Sequence, residues 1–299
     1  MRNLKEERGE FRVGCLLRDH ARSFALTICI LPRQLREPLG IAYLLARTSD
    51  TLADAGNIPM QRRIAILEDL EATLEAGDLS GWSPETSPRE FSGREAQLIA
   101  SLPSLIAALV ELPAYDELLH LWRTILKGQL FDLRRFVPNA PPLDRDELEG
   151  YCESVAGSVG RTWTVLIAET FPDLLMRSPM EMEHFGAAYG KGLQLINILR
   201  DRIADRVMGR MYVRDEELSD LLDLAGKWLS GGEKYFRALR PGRVRYATEL
   251  PHALAVSTLD KIRKFPSAAR VRVSRGKLYW IMASRLASLW LPRSSNPAS

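Results

Sequence analysis

Apolar residues recur at intervals of three and four along most of this chain, and strict alternation of apolar and polar residues is scarce. Intervals of three and four place side chains on one face of an α-helix, whereas alternation is typical of a half-buried strand. Ala, Leu, Arg and Glu, which favour helices, are abundant in the same segments. The pattern predicts an all-α fold with helices near residues 10–31, 37–55, 59–76, 93–110, 114–136, 145–170, 180–206, 214–240, 247–264 and 274–290.

Prolines divide the predicted helices. Proline lacks a backbone N–H and its ring clashes with the preceding turn, so it is tolerated near a helix end and disfavoured in the interior. We therefore expect helix breaks at Pro32, Pro59, Pro113, Pro172 and Pro251.

The length of 299 residues, 46% of them hydrophobic, is sufficient for one large helical domain or for two ordinary ones. Residues 77–93 are rich in Gly, Ser and Pro and are predicted to form a loop, which could link two domains. The helical pattern is the same on both sides, so we interpret them as a surface loop within one domain spanning 1–299. Residues 292–299 are predicted to form a flexible tail.

The charges nearly balance, with 41 Lys and Arg against 38 Asp and Glu. This balance does not indicate a nucleic-acid partner, and the mild basic excess, a net charge of +3, suits anionic substrates or an acidic membrane surface. Cys15, Cys29 and Cys152 lack disulfide or metal-ligand spacing, which indicates buried thiols in a reducing compartment. Because no signal peptide or spanning helix is predicted, we expect a cytoplasmic protein.

Two helices each carry a pair of aspartates four residues apart: Asp50 with Asp54, and Asp201 with Asp205. This spacing places both carboxylates of a pair on one helix face. Two like charges at that spacing destabilise an isolated helix by roughly 0.2–0.5 kcal/mol. A solvated surface tolerates that cost, whereas an apolar face lining a cavity requires a cation between the carboxylates.

Further polar residues extend each pair into a stripe. Tyr43 and Arg47 precede the first pair on its helix face, and Gln194 and Asn197 precede the second within otherwise apolar sequence. Buried amides need hydrogen-bonding partners, so the second stripe indicates either a structural network or a binding site.

Two interpretations of the aspartates remain open. In one, both pairs are solvated faces in salt bridges with neighbouring arginines, namely Arg47, Arg200, Arg202 and Arg206. In the other, carboxylates from both helices bind Mg²⁺ together with substrate phosphates. No His/Cys cluster indicates zinc, and no phosphate-binding GxxxxGK[ST] loop indicates a nucleoside triphosphate.

Four segments, in this order along the chain, resemble motifs of the squalene/phytoene synthase family. They are ARSFALTICILP (21–32), LLARTSDTLAD (44–54), YCESVAGSVG (151–160) and GLQLINILRDRIADRVMGRMY (192–212). The resemblance extends more weakly to about residue 280, and within the family it is greatest to squalene synthases.

The resemblance implies an all-α isoprenoid-synthase fold, a single helical bundle around a central cavity, and a Mg²⁺-dependent prenyltransferase. It implies that Asp50, Asp54, Asp201 and Asp205 bind the magnesium and that Tyr151 belongs to the catalytic set. The further residues implied to bind substrate are His20, Arg22, Ser23, Tyr43, Arg47, Gln194, Asn197, Arg200, Arg210 and Tyr212.

The chain departs from the family pattern after the second aspartate motif. Many members continue with an apolar residue and Pro, where this chain has Val213 and Arg214, so the position of the following loop is open.

Asp132 is either an additional acid near the cavity or the partner of Arg134 or Arg135.

Small residues in the third motif also have two interpretations. Ala156, Gly157 and Gly160 could leave room for a prenyl tail, or they could allow close packing of two helices.

The family chemistry joins two isoprenyl diphosphates through a cyclopropylcarbinyl diphosphate. Reduction by NADPH gives squalene, and loss of a proton gives dehydrosqualene or phytoene. A basic cluster, with Arg272, Arg275 and Lys277, resembles a Lys/Arg-rich stretch of squalene synthases and is predicted to bind NADPH; the alternative is a solvated or membrane-facing surface. We therefore expect squalene synthase. The alternatives are phytoene, dehydrosqualene or presqualene diphosphate synthase, or a non-catalytic helical assembly or membrane-adaptor protein.

Peripheral membrane contact is predicted from the sequence near the C-terminus, where apolar residues lie beside basic ones. The apolar residues are Leu278, Trp280, Ile281, Leu286, Leu289, Trp290 and Leu291.

Overall fold

The computed structural model describes residues 13, 14, 16–20, 23–79, 81–86, 90–137, 139–268, 271 and 273–289. Within these residues the regular structure is helical, and extended pairing is limited to an isolated bridge between Leu175 and Leu239. The all-α prediction is confirmed. The chain divides into two compact units, one of residues 1–29 and 33–140 and the other of residues 30–32 and 141–299. The single-domain interpretation stays a prediction.

Besides helical residues at 13, 14 and 16–19, the first unit contains five helices whose bounds are described. They are α1 (Ser23–Ile30, whose last residue belongs to the second unit), α2 (Arg33–Ala53), α3 (Met60–Ala76), α4 (Gly93–Val110) and α5 (Tyr115–Arg135). Helix α2 packs against α3, α4 and α5. Its buried face is built from leucines and small residues, and its opposite edge carries the first aspartate stripe.

The second unit is organised around its longest helix. Its α-helices are α6 (Arg145–Cys152), α7 (Ser158–Thr170), α8 (Pro179–Val207), α9 (Leu218–Arg237), α10 (Arg243–Lys264) and α11 (Arg275–Ser284). A π-helix at Glu153–Gly157 joins α6 to α7, and 3₁₀ turns lie at Pro172–Leu174 and Leu286–Leu289. Helix α8 contacts α6, the π-helix, α7, α9 and α10, so the second aspartate motif is carried by the central helix of this unit.

Capping residues fix where α6 and α8 begin. Asp144 accepts a hydrogen bond from the Glu147 backbone N–H, and the Glu147 side chain accepts one from the Asp144 backbone N–H. Ser178 and Glu181 form the same reciprocal capping box before α8, with Pro179 in the first turn. Such a box satisfies two backbone donors that a helix start otherwise leaves unpaired.

The predicted break at Pro251 is wrong, because α10 continues through that residue. An interior proline removes one helical hydrogen bond and costs about 3 kcal/mol. Burial of the apolar face on both sides of the proline, including Val244, Leu250, Leu259 and Ile262, offsets that cost. The other four prolines lie near helix ends, as predicted, but Pro38 and Pro103 lie inside helices α2 and α4.

Several other predicted boundaries also differ from the structure. The helix predicted at 145–170 is an α-helix, a π-helix and a second α-helix in succession, and the one predicted at 214–240 begins at Leu218. The loop predicted at 77–93 is non-helical from Gly77 to Ser92 in its described residues, and the tail at 292–299 lies outside the described residues. Cys15 also lies outside them. Cys29 and Cys152 are free thiols, and burial raises the pKa of Cys152 to about 12.

Backbone contact between helices decides one of the open sequence interpretations. A Cβ placed on Gly160 would lie 2.0 Å from the carbonyl oxygen of Gly186, and one placed on Gly190 would lie 2.0 Å from that of Ala156. The α7 and π-helix segment therefore packs backbone to backbone on α8. The small residues at 156 and 160 serve close helix packing.

This packing predicts opposite effects for two glycine substitutions in helix interiors. Gly190→Ala should lower the free energy of unfolding by about 1–3 kcal/mol, because the new methyl group must displace backbone. Gly226→Ala is the matched control, since its nearest neighbours lie 3.8 Å away and alanine favours a helix by up to about 1 kcal/mol. Urea unfolding followed by circular dichroism measures both. Equal stability of the two variants would contradict the packing argument.

Candidate active site

The first aspartate stripe lies along one edge of α2. Tyr43, Arg47 and Asp50 are half-buried on that edge, and Asp54 is exposed just after the helix ends at Ala53. The guanidinium of Arg47 forms an ion pair with the Asp50 carboxylate within the same helix. The like charges of the aspartate pair are therefore partly compensated by a cation on the same face.

Helix α5 forms hydrogen bonds to the side of α2 next to this stripe. The Trp122 indole N–H donates to the Ser49 hydroxyl at 3.4 Å, and the Gln129 amide donates to the Ala46 carbonyl at 3.3 Å. These hydrogen bonds fix the part of α2 that carries Arg47 and Asp50. Asp132 lies half-buried three residues beyond Gln129.

One of the two arginines predicted as partners of Asp132 forms an ion pair with another helix. The Arg134 guanidinium forms an ion pair with Glu68 on α3. The pairing of Asp132 with Arg134 or Arg135 stays a prediction.

The imidazole of His20 lies next to the first stripe. The Tyr43 hydroxyl donates to the His20 carbonyl at 3.3 Å, and the imidazole Nε2 is buried without a hydrogen-bonding partner. Desolvation, followed by the positive charge of Arg47, lowers the pKa of His20. A neutral imidazole therefore faces a cationic neighbour at this end of the stripe. Arg22 lies outside the described residues, and Ser23 begins α1 with a side chain that is also outside them.

The second stripe runs along α8. Gln194, Asp201 and Asp205 are half-buried and Asn197 is exposed, so this polar edge is open rather than sealed within the core. The Arg200 guanidinium binds both carboxylate oxygens of Asp201, with Nε 2.9 Å from Oδ1. Each stripe thus pairs its first aspartate with one arginine.

The other two arginines near the second pair have different partners. Arg206 donates to Asp215 at 2.8 Å, and the Nε of Arg202 lies 3.6 Å from the same carboxylate. Arg202 is buried and also donates to the Pro266 carbonyl. The interpretation that these arginines neutralise Asp201 and Asp205 is therefore wrong for Arg202 and Arg206, although it holds for Arg200.

A short connection after α8 contains two further predicted site residues, Arg210 and Tyr212. The Asp205 carbonyl accepts from the Arg210 backbone N–H at 2.8 Å, in a turn where Gly209 has a φ of 81°. Only glycine adopts that φ readily. Beyond the turn, the Tyr212 ring lies 5.4 Å from the Tyr151 ring, centroid to centroid.

The departure from the family pattern after Tyr212 now has a structural account. Val213 is buried and Arg214 is exposed, with its guanidinium 3.6 Å from Glu217. An apolar side chain therefore fixes the connection, and the charged residue faces solvent.

Sequence reasoning missed the π-helix that follows Tyr151. Single-turn π-helices occur frequently at functional sites. The Glu153 carboxylate lies directly against Gly157, where a Cβ would come within 2.7 Å of it, and it accepts from Arg161 at 2.6 Å. In the sequence, the signal that could have predicted this packing is a glutamate followed four residues later by a glycine, which leaves room for the carboxylate.

Sequence reasoning also missed two pairs of charged side chains in the second unit. The Lys191 amine lies 2.6 Å from Glu149 and 4.6 Å from the Trp228 ring centroid. Arg245 and Glu249 form a buried ion pair at 3.3 Å within α10. Lysine and arginine in helical sequence are ordinarily surface residues, so sequence gave no reason to single them out.

The carboxylates suit magnesium ions that are shared with a phosphorylated substrate. Among the described residues, no group of three or more His, Cys, Asp or Glu side chains forms a metal cage. Mg²⁺ binds typically through one or two carboxylates, retains waters and takes phosphate oxygens as further ligands. Two hard oxygen donors per helix, on an open edge, fit that mode.

The basic cluster is described only in part. Arg272 and the Arg275 side chain lie outside the described residues. The Lys277 amine is exposed and lies 4.3 Å from the Trp280 ring centroid.

Comparison with known proteins identifies the family. Residues 17–221 match the squalene/phytoene synthase family, and the chain belongs to that family. It is 24% identical to the squalene synthase of Bos taurus over 252 residues, covering 82% of this chain and 54% of the relative. It is 30% identical over 212 residues to the bifunctional lycopene cyclase/phytoene synthase of Blakeslea trispora, covering 68% of this chain and 32% of the relative.

Length differs between this chain and these relatives. The chain spans 54–61% of the squalene synthases of Bos taurus and Gibberella zeae.

Solved structures share the fold. A complex of TcSQS with the ligand BPH1237 superimposes with a TM-score of 0.77 at 22% identity, covering 93% of this chain and 86% of the other. A dehydrosqualene synthase in complex with a ligand gives a TM-score of 0.69 at 21% identity, covering 95% and 98%. The fold is therefore the all-α isoprenoid-synthase fold predicted from the sequence.

The carboxylate of Asp215 generates a pH prediction. The hydrogen bond from Arg206 lowers its pKa below the ordinary 3.8. A depressed carboxyl pKa stabilises the folded state above the unfolded value, and this stabilisation is lost as the pH falls through the folded value. The coupling between Asp215→Asn and Arg206→Gln in urea unfolding should therefore be about 0.2–1 kcal/mol at neutral pH and vanish in strong acid. A coupling independent of pH would contradict this assignment.

Proposed function

We propose that this chain is a squalene synthase, which condenses two molecules of farnesyl diphosphate head to head through presqualene diphosphate. The observation that supports the proposal most directly is the repeated arrangement on α2 and α8. Each helix presents an aspartate pair whose first member is bound by an arginine of the same helix. In a member of this family, that arrangement suits the binding of metal and diphosphate.

We assign the metal ligands to Asp50 on α2 and Asp54 just after it, and to Asp201 and Asp205 on α8. Magnesium bound there would neutralise the diphosphate leaving group. Arg47 and Arg200, which now compensate the carboxylates, would be released toward diphosphate oxygens once the carboxylates bind metal. Guanidinium groups bind phosphate with two parallel hydrogen bonds, so their transfer adds stabilisation where negative charge develops.

The remaining site residues orient the substrate and protect the carbocation. Tyr43 and His20 would line the diphosphate end of the first stripe, together with Arg22 and Ser23. Gln194, Asn197 and Arg210 would take the same role at the second. The aromatic rings of Tyr151 and Tyr212 could stabilise a carbocation through their π-electrons without forming a covalent bond to it.

The first half-reaction forms carbon–carbon bonds between the two substrates and releases one diphosphate and one proton. In the second, presqualene diphosphate loses its diphosphate and accepts a hydride from NADPH, which gives squalene and NADP⁺. We assign NADPH binding to Arg272, Arg275 and Lys277.

The alternative products are dehydrosqualene or phytoene, formed by proton loss, or presqualene diphosphate itself. Relatives of both the squalene and the phytoene type match this chain.

A non-catalytic assembly or membrane-adaptor protein is the alternative of a different class. Such a role does not require carboxylates to be retained on both helices, and it predicts no pyrophosphate release.

The proposed location is the cytoplasm, with peripheral contact to a membrane that holds the apolar product. Among the described residues, no helix is both long and apolar enough to cross a bilayer.

Replacing either leading aspartate should abolish turnover. Asp50→Asn and Asp201→Asn each remove a charged metal ligand and should lower Mg²⁺-dependent pyrophosphate release at least about a hundredfold, the size of effect expected when a preorganised electrostatic contact is lost. EDTA should stop the wild-type reaction and Mg²⁺ should restore it.

Asp223→Asn is the matched control, because Asp223 is an exposed aspartate that pairs with an arginine, Arg263, outside both stripes. It should retain wild-type activity. Near-normal activity of Asp50→Asn or Asp201→Asn, with an unchanged circular dichroism spectrum, would contradict the metal assignment.

The product distribution tests the assignment of NADPH. Replacing Arg272, Arg275 and Lys277 by Ala removes charge-assisted hydrogen bonds worth roughly 1.5–3 kcal/mol each, so NADPH use should weaken about tenfold or more per residue. Presqualene diphosphate or dehydro products should then accumulate at the expense of squalene. A product ratio that does not change at any NADPH concentration would contradict the cofactor assignment, and equal loss of both half-reactions would indicate a role in diphosphate binding.

A further inference from the structure

One lysine of α8 joins this helix to two of its neighbours. The Lys191 amine donates to the Glu149 carboxylate of α6 at 2.6 Å and lies 4.6 Å from the Trp228 ring centroid on α9. Its side chain is only 16% exposed. Lysine is ordinarily solvated, and confining its long side chain costs conformational entropy. The position of Lys191 between three helices therefore requires an explanation other than solubility.

The Lys191 amine compensates a pair of like charges. Glu149 and Glu153 lie four residues apart, across the junction where α6 ends and the π-helix begins. The amine lies 2.6 Å from the first carboxylate and 3.9 Å from the second, and Arg161 donates to the second at 2.6 Å. Carboxylates at this spacing repel each other. Because the compensating lysine comes from α8, it attaches the junction to that helix.

The same junction carries Tyr151. This residue lies two positions from each glutamate, which is about 200° around a helix, so its ring is on the side of the segment opposite the Lys191 amine. On that side the ring lies 5.4 Å from the Tyr212 ring, centroid to centroid. The position of the Tyr151 ring therefore depends on how the junction is oriented on α8.

Backbone packing fixes the distance between the two segments but not this orientation. A Cβ placed on Gly190 would lie 2.0 Å from the Ala156 carbonyl oxygen, so the π-helix lies against α8 at that point. Contact between backbones limits approach, and it opposes rotation of the segment only weakly. A charge-assisted hydrogen bond is directional. The bond from Lys191 to Glu149 thus supplies a second point of attachment, on the other side of Tyr151 in the chain.

We infer that Lys191 is a positioning residue that holds the Tyr151 ring toward the carbocation formed when diphosphate leaves. This inference rests on the proposed function, in which that ring stabilises the carbocation. An aromatic ring stabilises a cation that lies over its face within about 6 Å, so rotation of the junction would remove the effect. Binding of metal and diphosphate does not involve the ring. Loss of Lys191 should therefore lower kcat and leave KM nearly unchanged.

Hydrogen exchange tests the attachment without substrate or metal. Lys191→Met keeps a side chain of similar length without its charge, so the amides of residues 149–157 should exchange at least about tenfold faster in this variant. Lys191→Arg retains a cation and should stay within about threefold of wild type. Lys227→Met is the matched control, because Lys227 is exposed on α9 beside Trp228. It should exchange like wild type.

Turnover of farnesyl diphosphate with Mg²⁺ and NADPH tests the role in the reaction. Lys191→Met should lower kcat about tenfold, while KM and the Mg²⁺ concentration for half-maximal rate change less than about twofold. Lys191→Arg should restore kcat to within about threefold of wild type. In a Tyr151→Leu protein, Lys191→Met should cause no further loss, because the two residues act as a unit. Circular dichroism and the thermal midpoint establish that every variant is folded.

Three results would overturn this inference and leave the proposed function in place. The first is Lys191→Met that matches Lys227→Met in exchange or in kcat. The second is a loss of kcat that multiplies with that of Tyr151→Leu. The third is a raised Mg²⁺ requirement, which would place the effect in the aspartate pair of α8.

Failure of the proposed function gives a different pattern. A wild-type protein that releases no product from farnesyl diphosphate would contradict that function and, with it, the role of Lys191 in the reaction. The exchange measurement would still show whether Lys191 holds the junction on α8.

Discussion

The repulsion between paired carboxylates is the interaction on which the proposed chemistry depends. An aspartate pair on one helix face destabilises the helix unless a cation is present. In both units an arginine of the same helix supplies that cation, Arg47 for Asp50 and Arg200 for Asp201. These ion pairs orient the carboxylates, which remain half-buried on the edges of their helices. Under the proposed function, a metal ion bound by each aspartate pair would free the arginine of that pair for an anionic substrate.

Close helix packing supplies the rigidity that such a site needs. In the second unit, α8 lies against its neighbours through backbone contacts at Gly160 and Gly190, so even a methyl group would displace the helices. The turn at Gly209 and the buried Val213 then fix the chain beyond the second aspartate pair. In the first unit, hydrogen bonds from Trp122 and Gln129 hold the corresponding backbone of α2. Tight packing limits side-chain freedom, which is how a helical scaffold holds ligands at fixed positions.

Periodicity predicted the helical class and most helices, because apolar spacing reports directly which face is buried. The proline rule failed at Pro251, where burial of the apolar face on both sides of the residue outweighs the lost hydrogen bond, whereas periodicity had predicted a helix through that position. The aspartate spacing placed each pair on one face, but the partners of Arg202 and Arg206 depend on Asp215, which is brought near by the fold. The π-helix at Glu153–Gly157 and the Lys191 contact to Trp228 likewise arise from packing between helices that are distant in sequence.

Binding of a non-reactive substrate analogue tests the central claim most directly. Calorimetric titration with farnesyl thiodiphosphate, in which ionisation is slow, separates binding from turnover. If the carboxylates bind diphosphate through magnesium, the analogue should bind in Mg²⁺ and lose at least about a hundredfold in affinity in EDTA, and Asp201→Asn should lose most of the magnesium dependence. Binding of equal affinity with and without Mg²⁺ would contradict the account.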